Sequence, residues 1–455
     1  MKNKKSRKKW IFLIVASVIV SVLLLLALDY TFKNGIWDGG ALGNETLYIL
    51  IIFLVLLLLL LGALVVVLIF AKKDPEGPVA QFVYGKKETD TSEESRGERF
   101  CILSELDEKK DSYKRARYDA DIDLKSLCDN FRSYTANKHK LYYDIDDIRR
   151  FISGLAVSKI VILQGMSGTG KTSLAHAFGS YIDNPSTVIP VQPMWKERTD
   201  LIGYYNEFTK KFNETLLLQK MYEANYSKDM YITVLDEMNI ARVEYYFAEF
   251  LSLLELPDAD ERYIDVVSDK WENDPKQLKN GRIKLPENMW FVGTANNDDS
   301  TFTISDKVYD RAMILDLDKK SEPFVSGATK KLQISANQFE DLVTSALKEH
   351  RVSARNKKRL EDLDKYLVDH FHITFGNRIM KQIMTYIPVY ISCGGDELAA
   401  LDDILSKKVI RKLESQNPIY LRTSAEGLLN YLDELFGKDR MSLCKEHIRR
   451  IQRNA

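Results

Sequence analysis

Residues 165–172 read GMSGTGKT, which places Gly165, Gly170, Lys171 and Thr172 at the spacing G-x-x-x-x-G-K-T. Glycines let backbone N–H groups wrap around phosphates, and the helix that follows directs its positive dipole end at the same ligand. The lysine then reaches the β- and γ-phosphates, and the threonine hydroxyl is available to Mg²⁺. The motif therefore predicts a nucleoside-triphosphate site, with phosphate-binding residues Gly165, Ser167, Gly168, Thr169, Gly170, Lys171, Thr172 and Ser173.

Two acidic residues, Asp236 and Glu237, follow the apolar run YITVL at 231–235. In open α/β sheets the carboxyl end of a strand faces the ligand crevice. Asp236 is expected to hold Mg²⁺, and Glu237 to orient and deprotonate the attacking water. A small-molecule kinase would not need Glu237 in this position, so the pair favours hydrolysis of the triphosphate.

A third apolar run, MWFVGT at 289–294, is followed by a polar segment that includes Asn296. An amide just past a buried strand can cap the following turn. Beside a phosphate-binding loop it can instead contact the γ-phosphate or the attacking water. The residues 305–317, SDKVYDRAMILDL, predict a short helix that carries Arg311 and then a strand around 313–317.

Apolar patterns predict the elements that must position these residues. KIVILQ at 159–164 fits a buried parallel strand that leads directly into the phosphate-binding loop. Apolar residues at helical spacing predict helices at 117–137 and 144–155. The polar stretch between residues 256 and 286 is interpreted as an inserted hairpin with Asn280 and Gly281 as its turn.

Composition limits the class of protein. The chain has 455 residues with 65 Lys plus Arg and 65 Asp plus Glu, so its formal net charge is zero and a globally basic nucleic-acid coat protein is excluded. A hydrophobic content of 45% excludes a mostly disordered chain. The four cysteines form no CxxC pair and the six histidines are scattered, which argues against a disulfide scaffold or a zinc site.

The N-terminal part contains two uncharged runs, 10–28 and 47–71, each long enough to cross a bilayer as a helix. Basic residues precede the first run and follow the second, which predicts that both ends are cytoplasmic. The sequence thus predicts a multi-pass membrane protein with two helices, a cytoplasmic catalytic domain and membrane lipid as a partner. A signal peptide is the alternative for the first run. Residues 72–99 are polar and predict a flexible linker.

Four segments together resemble the AAA+ ATPases, and most closely the McrB-like clade, with dynein and the MoxR proteins as more distant relatives. The resemblance covers residues 147 to 416. It implies a P-loop AAA+ core with a parallel sheet, a C-terminal α-helical lid, ATP or GTP with Mg²⁺, and a homo-oligomeric ring, expected to be a hexamer. The matching segments are GMSGTGKTSLA at 165–175, RTDLIGYYN at 198–206, VLDEMNIARVEYYFAEFLSLLE at 234–255 and WFVGTANNDDS at 290–300.

By position in this resemblance, Asn296 corresponds to the polar residue called sensor 1. Arg311 corresponds to the arginine finger, which reaches the nucleotide of the neighbouring subunit. A surface ion pair with Asp310 or Asp306 is the other interpretation of Arg311. Asn239 is expected, with its neighbour Arg242, to face the subunit interface.

The segment FGNRIMKQI at 375–383 resembles the lid segment that carries sensor 2, which makes Arg378 the candidate. Lys381 and Arg355 are alternatives for that role.

The expected domains are a transmembrane hairpin at 1–73, a linker and helical spacer at 74–140, the AAA+ core at 141–320 and the helical lid with further helices at 321–455.

The leading hypothesis is a membrane-anchored ring NTPase that remodels or moves a partner at the cytoplasmic face. One alternative is a nucleotide-gated phage-defence sensor that recruits a separately encoded effector such as a nuclease. Another is a MoxR-like maturation chaperone. Direct nucleic-acid binding stays open.

Overall fold

The computed structural model of the protein describes residues 98–454, apart from residues 120, 297–300 and 319–320. Ten short strands occur in this part of the chain. They are β1 Ile160–Gly165, β2 Thr187–Pro190, β3 Tyr205–Asn206, β4 Lys211–Phe212, β5 Tyr231–Asp236, β6 Tyr263–Asp265, β7 Leu278–Lys279, β8 Arg282–Lys284, β9 Met289–Asn296 and β10 Met313–Asp316.

Five of the strands form one sheet in the order β10-β1-β9-β5-β2, and every neighbouring pair is parallel. The predicted parallel sheet is therefore confirmed. The strand order places β9 between β1 and β5, so three carboxyl strand ends lie side by side at one edge. Gly165 at the end of β1 is in register with Asn296 at the end of β9.

Both faces of the sheet are buried, as expected for strands that read as continuous apolar runs. Side chains alternate between two cores because successive residues of a strand point to opposite faces. In β1, Val161 and Leu163 join the core shared with the C-terminal helices, whereas Ile160 and Ile162 join the core on the other face. Trp290 of β9 packs edge-on against Phe339 of the first C-terminal helix, with ring centroids 5.9 Å apart.

The helix predicted at 117–137 is shorter and spans Leu124–Tyr134. Asp123 sets its start, because the carboxylate accepts a hydrogen bond from the backbone N–H of Ser126 at 2.6 Å. The helix ends in a single π turn, Thr135–His139. Phe131 packs against Phe178 of the helix that follows the phosphate-binding loop, with centroids 5.1 Å apart.

The other helices before the end of the sheet cover its two faces and connect its strands. They are Ile102–Glu108, Ile145–Val157, Lys171–Tyr181, Thr199–Ile202, Leu216–Ala224, Val243–Tyr246, Ala248–Leu253 and Asp306–Tyr309, with 3-10 turns at Lys110–Tyr113, Met238–Ile240 and Ala259–Glu261.

The residues after the sheet form a helical region, as expected from the resemblance. Its first helix begins with a capping box in which Ser335 and Gln338 each bind the other's backbone N–H. The region shares one hydrophobic core with the sheet. Its helices are Ala336–Glu349, Ala354–Phe371, Asn377–Ser392, Glu397–Lys408, Pro418–Phe436 and Ser442–Asn454, with a 3-10 turn at Ile410–Ser415.

The predicted inserted hairpin is confirmed. Strands β7 and β8 pair antiparallel across a two-residue turn in which Asn280 has φ 54° and Gly281 has φ 75°. Both values lie in the left-handed region that type I′ hairpin turns require. Strand β6 adds to the outer side of β8.

The two N-terminal runs that predicted membrane spans, 10–28 and 47–71, lie outside the described residues. Within the described part, no helix is long and apolar enough to cross a bilayer. Its two longest helices, Ala354–Phe371 and Pro418–Phe436, carry charged residues along their length. This finding corrects the predicted localisation as a multi-pass membrane protein.

Candidate functional site

The phosphate-binding loop connects β1 to the helix Lys171–Tyr181. Gly165, Gly168 and Gly170 have φ values of 143°, 77° and 93°, which L-residues rarely adopt. A Cβ on Gly165 would also lie only 2.6 Å from the carbonyl oxygen of Leu317. The glycines therefore allow a turn that side chains would block.

Lys171 is the first residue of the helix and only 6% exposed. Its ammonium donates to the carbonyl oxygens of Gly165 at 3.0 Å and Met166 at 2.7 Å. The charge is thereby held inside the loop that the glycines form. This is the position from which it can meet phosphate oxygens.

The remaining predicted loop residues surround that charge. Ser167 and Gly168 are exposed at the tip of the loop, and the Thr169 hydroxyl donates to the Met166 carbonyl at 3.0 Å. Thr172 and Ser173 lie in the first turn of the helix. The structure therefore brings all eight predicted phosphate-binding residues together in one loop and one helical turn.

A tyrosine that the sequence analysis did not single out contacts the backbone of the loop at Gly170. Tyr143 is 5% exposed, and its hydroxyl donates to the carbonyl oxygen of Gly170 at 2.9 Å. Burial raises the pKa of Tyr143, so its hydroxyl remains a donor at all physiological pH values. No local pattern indicated this contact, because 27 residues separate the two partners.

The two predicted acidic residues lie at the end of β5, beside the loop. The Thr172 hydroxyl donates to Asp236 Oδ1 at 2.6 Å, and the Thr294 hydroxyl of β9 donates to the same oxygen at 2.8 Å. Thr294 also accepts the backbone N–H of Glu237 at 2.8 Å. Thr294 is thus a positioning residue that the sequence analysis missed, although it lies in a segment that the resemblance covers.

Glu237 follows the strand directly and is exposed, with a left-handed backbone at φ 52°. A glutamate rarely adopts this conformation, and such strained residues cluster at functional sites. Thr294 fixes the backbone N–H of Glu237, and the Glu237 side chain is exposed to solvent. Its carboxylate is therefore accessible to water.

Asn296, the last residue of β9, is held by Asn239. The Asn239 side chain donates to the Asn296 carbonyl oxygen at 2.9 Å and accepts the Asn296 N–H at 3.3 Å. It also donates to the Phe302 carbonyl oxygen at 3.3 Å. Asn239 is 4% exposed, so the expectation that it faces a subunit interface is wrong. Its amide instead holds both ends of the segment after Asn296.

The residues present fit a nucleoside triphosphate with Mg²⁺. The Thr172 hydroxyl and Asp236 carboxylate provide hard oxygen ligands 2.6 Å apart. Mg²⁺ typically takes one or two such protein ligands and completes its shell with water and substrate phosphates. A cleft of about 740 Å³ lies between the core and the helical region and is lined by Asp144, Asp318 and Lys407 among others, but by none of the phosphate-binding residues.

The two predicted arginines lie elsewhere. The helix expected to carry Arg311 ends at Tyr309, and Arg311 lies in the turn before β10. Met313 of β10 is in register with Val161 near the start of β1. Four residues of strand, roughly 13 Å, separate that level from the phosphate-binding loop. Arg311 is therefore at the opposite edge of the sheet from Lys171.

Arg311 and Arg378 meet on one carboxylate. Arg311 donates to Glu255 Oε2 at 2.7 Å, and Arg378 forms an ion pair with Glu255 Oε1. These arginines hold the pKa of Glu255 below its usual range, Arg311 having the larger effect. The alternative ion pairs of Arg311 with Asp306 or Asp310 are not formed. We refer to Arg311, Arg378 and Glu255 as the arginine face.

The arginine face borders a cleft of about 490 Å³, which Lys159 and Lys381 also line. Lys381, an alternative candidate for the sensor 2 role, thus lies beside Arg378. Cationic groups outnumber the single carboxylate of Glu255 in this cleft, so it favours an anion.

Comparison with protein families supports the identification of the α/β part of the chain as a nucleotide-binding domain. Residues 160–312 match a family described as AAA domain (dynein-related subfamily). This match confirms the expected resemblance to AAA+ ATPases for residues 160–312 and supports a P-loop NTPase. Residues 329–455 match a Domain of unknown function (DUF8727). No curated protein matches the chain.

Two solved structures are similar to the chain in part. A "putative ATPase" from Cytophaga hutchinsonii is 13% identical with a TM-score of 0.39, over 64% of this chain and 82% of that chain. A full-length MCM homolog from Methanopyrus kandleri is 11% identical with a TM-score of 0.32, over 64% of this chain and 56% of that chain. Because both TM-scores are below 0.5, neither structure is used to assign a role to any residue of this chain.

Proposed function

We propose that the chain is the subunit of a ring-forming, McrB-like AAA+ NTPase that hydrolyses ATP or GTP and uses the reaction to remodel or move a partner. The observation that carries this proposal is the separation of the arginine face from the phosphate-binding loop. Two arginines at the opposite edge of the sheet are out of reach of their own subunit's triphosphate. In a ring, that edge can instead meet the loop of the next subunit.

Each subunit supplies the groups that bind the triphosphate and start the reaction. Lys171 binds the β- and γ-phosphates, and Asn296 orients the attacking water. Glu237 accepts the proton of that water as it attacks the γ-phosphorus. The bond from the γ-phosphorus to the β–γ bridging oxygen breaks, and the nucleoside diphosphate leaves with inorganic phosphate as the second product. Thr172 and Asp236 would hold Mg²⁺, which when bound neutralises charge on the phosphate oxygens.

The neighbouring subunit supplies Arg311 and Arg378. A guanidinium stabilises the negative charge that develops on the transferred phosphoryl group. Arg311 and Arg378 already lie side by side on Glu255, so a neighbour's γ-phosphate could receive both. The expectation that the ring moves a partner, and that it is a hexamer, comes from the resemblance.

Replacing Glu237 by Gln tests the hydrolytic role. Glu237→Gln should bind ATP or GTP with unchanged affinity and hydrolyse it about 10²- to 10⁴-fold more slowly, because the base is lost while Asp236 and Thr172 remain. Glu261→Gln is the matched control and should hydrolyse at the wild-type rate, because Glu261 is an exposed carboxylate in a 3-10 turn ahead of β6. Hydrolysis by Glu237→Gln at the wild-type rate would remove the proposed base.

A further inference from the structure

The segment that carries Arg311 is held by the C-terminal helical region through a buried lysine. Lys408, the last residue of the helix Glu397–Lys408, is only 2% exposed. Its ammonium donates to the carbonyl oxygens of Tyr309 at 2.8 Å and Asp310 at 3.4 Å, and also to that of Ala312. Three of the four residues from 309 to 312 are therefore bound to one side chain, and Arg311 lies among them.

Other residues of the helical region bind the same segment. Gln382 donates to the Asp310 carbonyl oxygen at 3.2 Å. Arg411 donates to Asp306 Oδ1 at 2.6 Å, and its guanidinium lies 4.0 Å from the ring centroid of Tyr309. The segment is thus held from the side of the helical region along its whole length.

The chemistry of Lys408 makes this attachment specific. The helix Asp306–Tyr309 ends at these carbonyls, where the backbone acceptors have no partner within the helix and the helix dipole has its negative end. An ammonium has three donors to offer them. Burial lowers the pKa of Lys408 to about 7, because the charged form loses its hydration. The three carbonyl oxygens replace part of that hydration. If the segment moved away alone, a buried cation and three carbonyls would lose their partners.

We propose that Lys408 is a positioning residue for Arg311, through which the helical region sets where this arginine stands relative to the neighbouring subunit. The inference rests on the proposed function, because it assumes that Arg311 serves a neighbour's site. It assigns a role to one residue of the domain of unknown function. A movement of the helical region in one subunit would thereby change hydrolysis in the next.

The first test compares two buried lysines in the full-length chain. Lys408→Met keeps most of the side-chain volume and removes all three donors. Lys445→Met is the matched control, because Lys445 is 6% exposed and donates to the Lys438 carbonyl oxygen at 2.7 Å within the same region. Lys408→Met should lower kcat about 100-fold, the effect of a displacement near 1 Å, with nucleotide affinity unchanged. Lys445→Met should lower only the Tm.

Mixed rings show through which site Lys408 acts. Lys408→Met is co-expressed with Lys171→Ala, which has an intact arginine face and a defective phosphate-binding loop. Some interfaces then pair the intact loop of a Lys408→Met subunit with the well-placed Arg311 of its neighbour, so activity should return. The reference mixture contains Arg311→Ala in place of Lys408→Met, and ring formation is verified by crosslinking.

Each result supports or overturns the inference. If Lys408→Met keeps wild-type kcat and loses only stability, Lys408 is merely structural. If its kcat falls without rescue while the reference mixture is rescued, Lys408 acts within its own site and the inference alone fails. If the reference mixture is not rescued, or Arg311→Ala hydrolyses normally, the shared site fails and the inference with it. Should Lys408→Met not fold, Gln382→Leu decides by the same mixing test, with a smaller loss of about fivefold expected.

Discussion

The two edges of the central sheet are built in different ways. At the carboxyl edge, the loop from Gly165 to Thr172 and the strand ends at Asp236 and Thr294 bind one another through short hydrogen bonds. At the other edge, Arg311 and Arg378 from two separate elements meet on the carboxylate of Glu255. The first edge collects the predicted phosphate-binding and acidic residues of one chain, whereas the second offers cations without a phosphate-binding loop beside them. This difference is what argues for a site shared between subunits.

Removing the finger should have the largest effect. Arg311→Ala should bind nucleotide normally and hydrolyse it about 10³-fold or more slowly, as for other arginine fingers. Mixed with Lys171→Ala, it should regain activity, because neither subunit alone has both residues but some interfaces do. Steady-state hydrolysis by single variants and by co-expressed mixtures measures both effects. Normal hydrolysis by Arg311→Ala alone would contradict the proposal that the arginine face acts at the phosphate-binding loop of the neighbouring subunit.

Neutralising Glu255 should have an intermediate effect. In Glu255→Gln the carboxylate that joins Arg311 and Arg378 is lost, and the two guanidinium groups repel each other. We expect kcat to fall about tenfold through misplacement of both groups, with unchanged nucleotide affinity. A higher kcat would mean instead that Glu255 holds the arginines back from the neighbour's phosphate.

The same carboxylate predicts a pH dependence of stability. The pKa of Glu255 is lowered from its usual 4.5 in the folded state. Because the folded-state pKa is lower than the unfolded value of 4.5, the ion pairs stabilise the fold fully above pH 4.5. This contribution is lost as the pH falls through the folded-state pKa. Glu255→Gln should therefore lower the Tm more at pH 7 than at pH 4. An equal loss of Tm at both pH values would show that charge is not what joins this face.

The smallest effect is expected at the buried amide of the carboxyl edge. Asn239→Ala leaves the carbonyls of Asn296 and Phe302 without their donor, at a loss of about 1–3 kcal/mol in the free energy of unfolding. Because Asn296 loses its support, kcat should also fall, by about threefold to tenfold.

Asn288→Ala is the control for Asn239→Ala. The Asn288 amide also donates to backbone carbonyls, those of Ala224, Ser227 and Asp229 at 2.9–3.2 Å, but lies before the start of β9. Denaturant unfolding and hydrolysis assays should show that Asn288→Ala loses stability alone. Equal losses of kcat in both variants would mean that Asn239 has no particular role at the site.

Much of the fold could be predicted because buried parallel strands are continuous apolar runs. The runs at 159–164, 231–237 and 289–294 match β1, β5 and β9 to within two residues. Helix boundaries were harder to predict. The helical pattern that begins at residue 117 does not reveal that Asp123 caps the helix. The residue types around Arg311 also suit a helix, although the helix ends at Tyr309.

By itself, the sequence determined the phosphate-binding loop, the acidic pair at the end of β5 and the hairpin turn at Asn280 and Gly281. Each depends on neighbouring residues and on the backbone conformations that their types allow. Only the tertiary structure decided that Glu255 joins Arg311 and Arg378, that Asn239 is buried, and that Lys408 holds the segment of Arg311. These contacts join residues far apart in the chain, and they form only where packing of the helical region against the sheet brings a donor within reach of its acceptor.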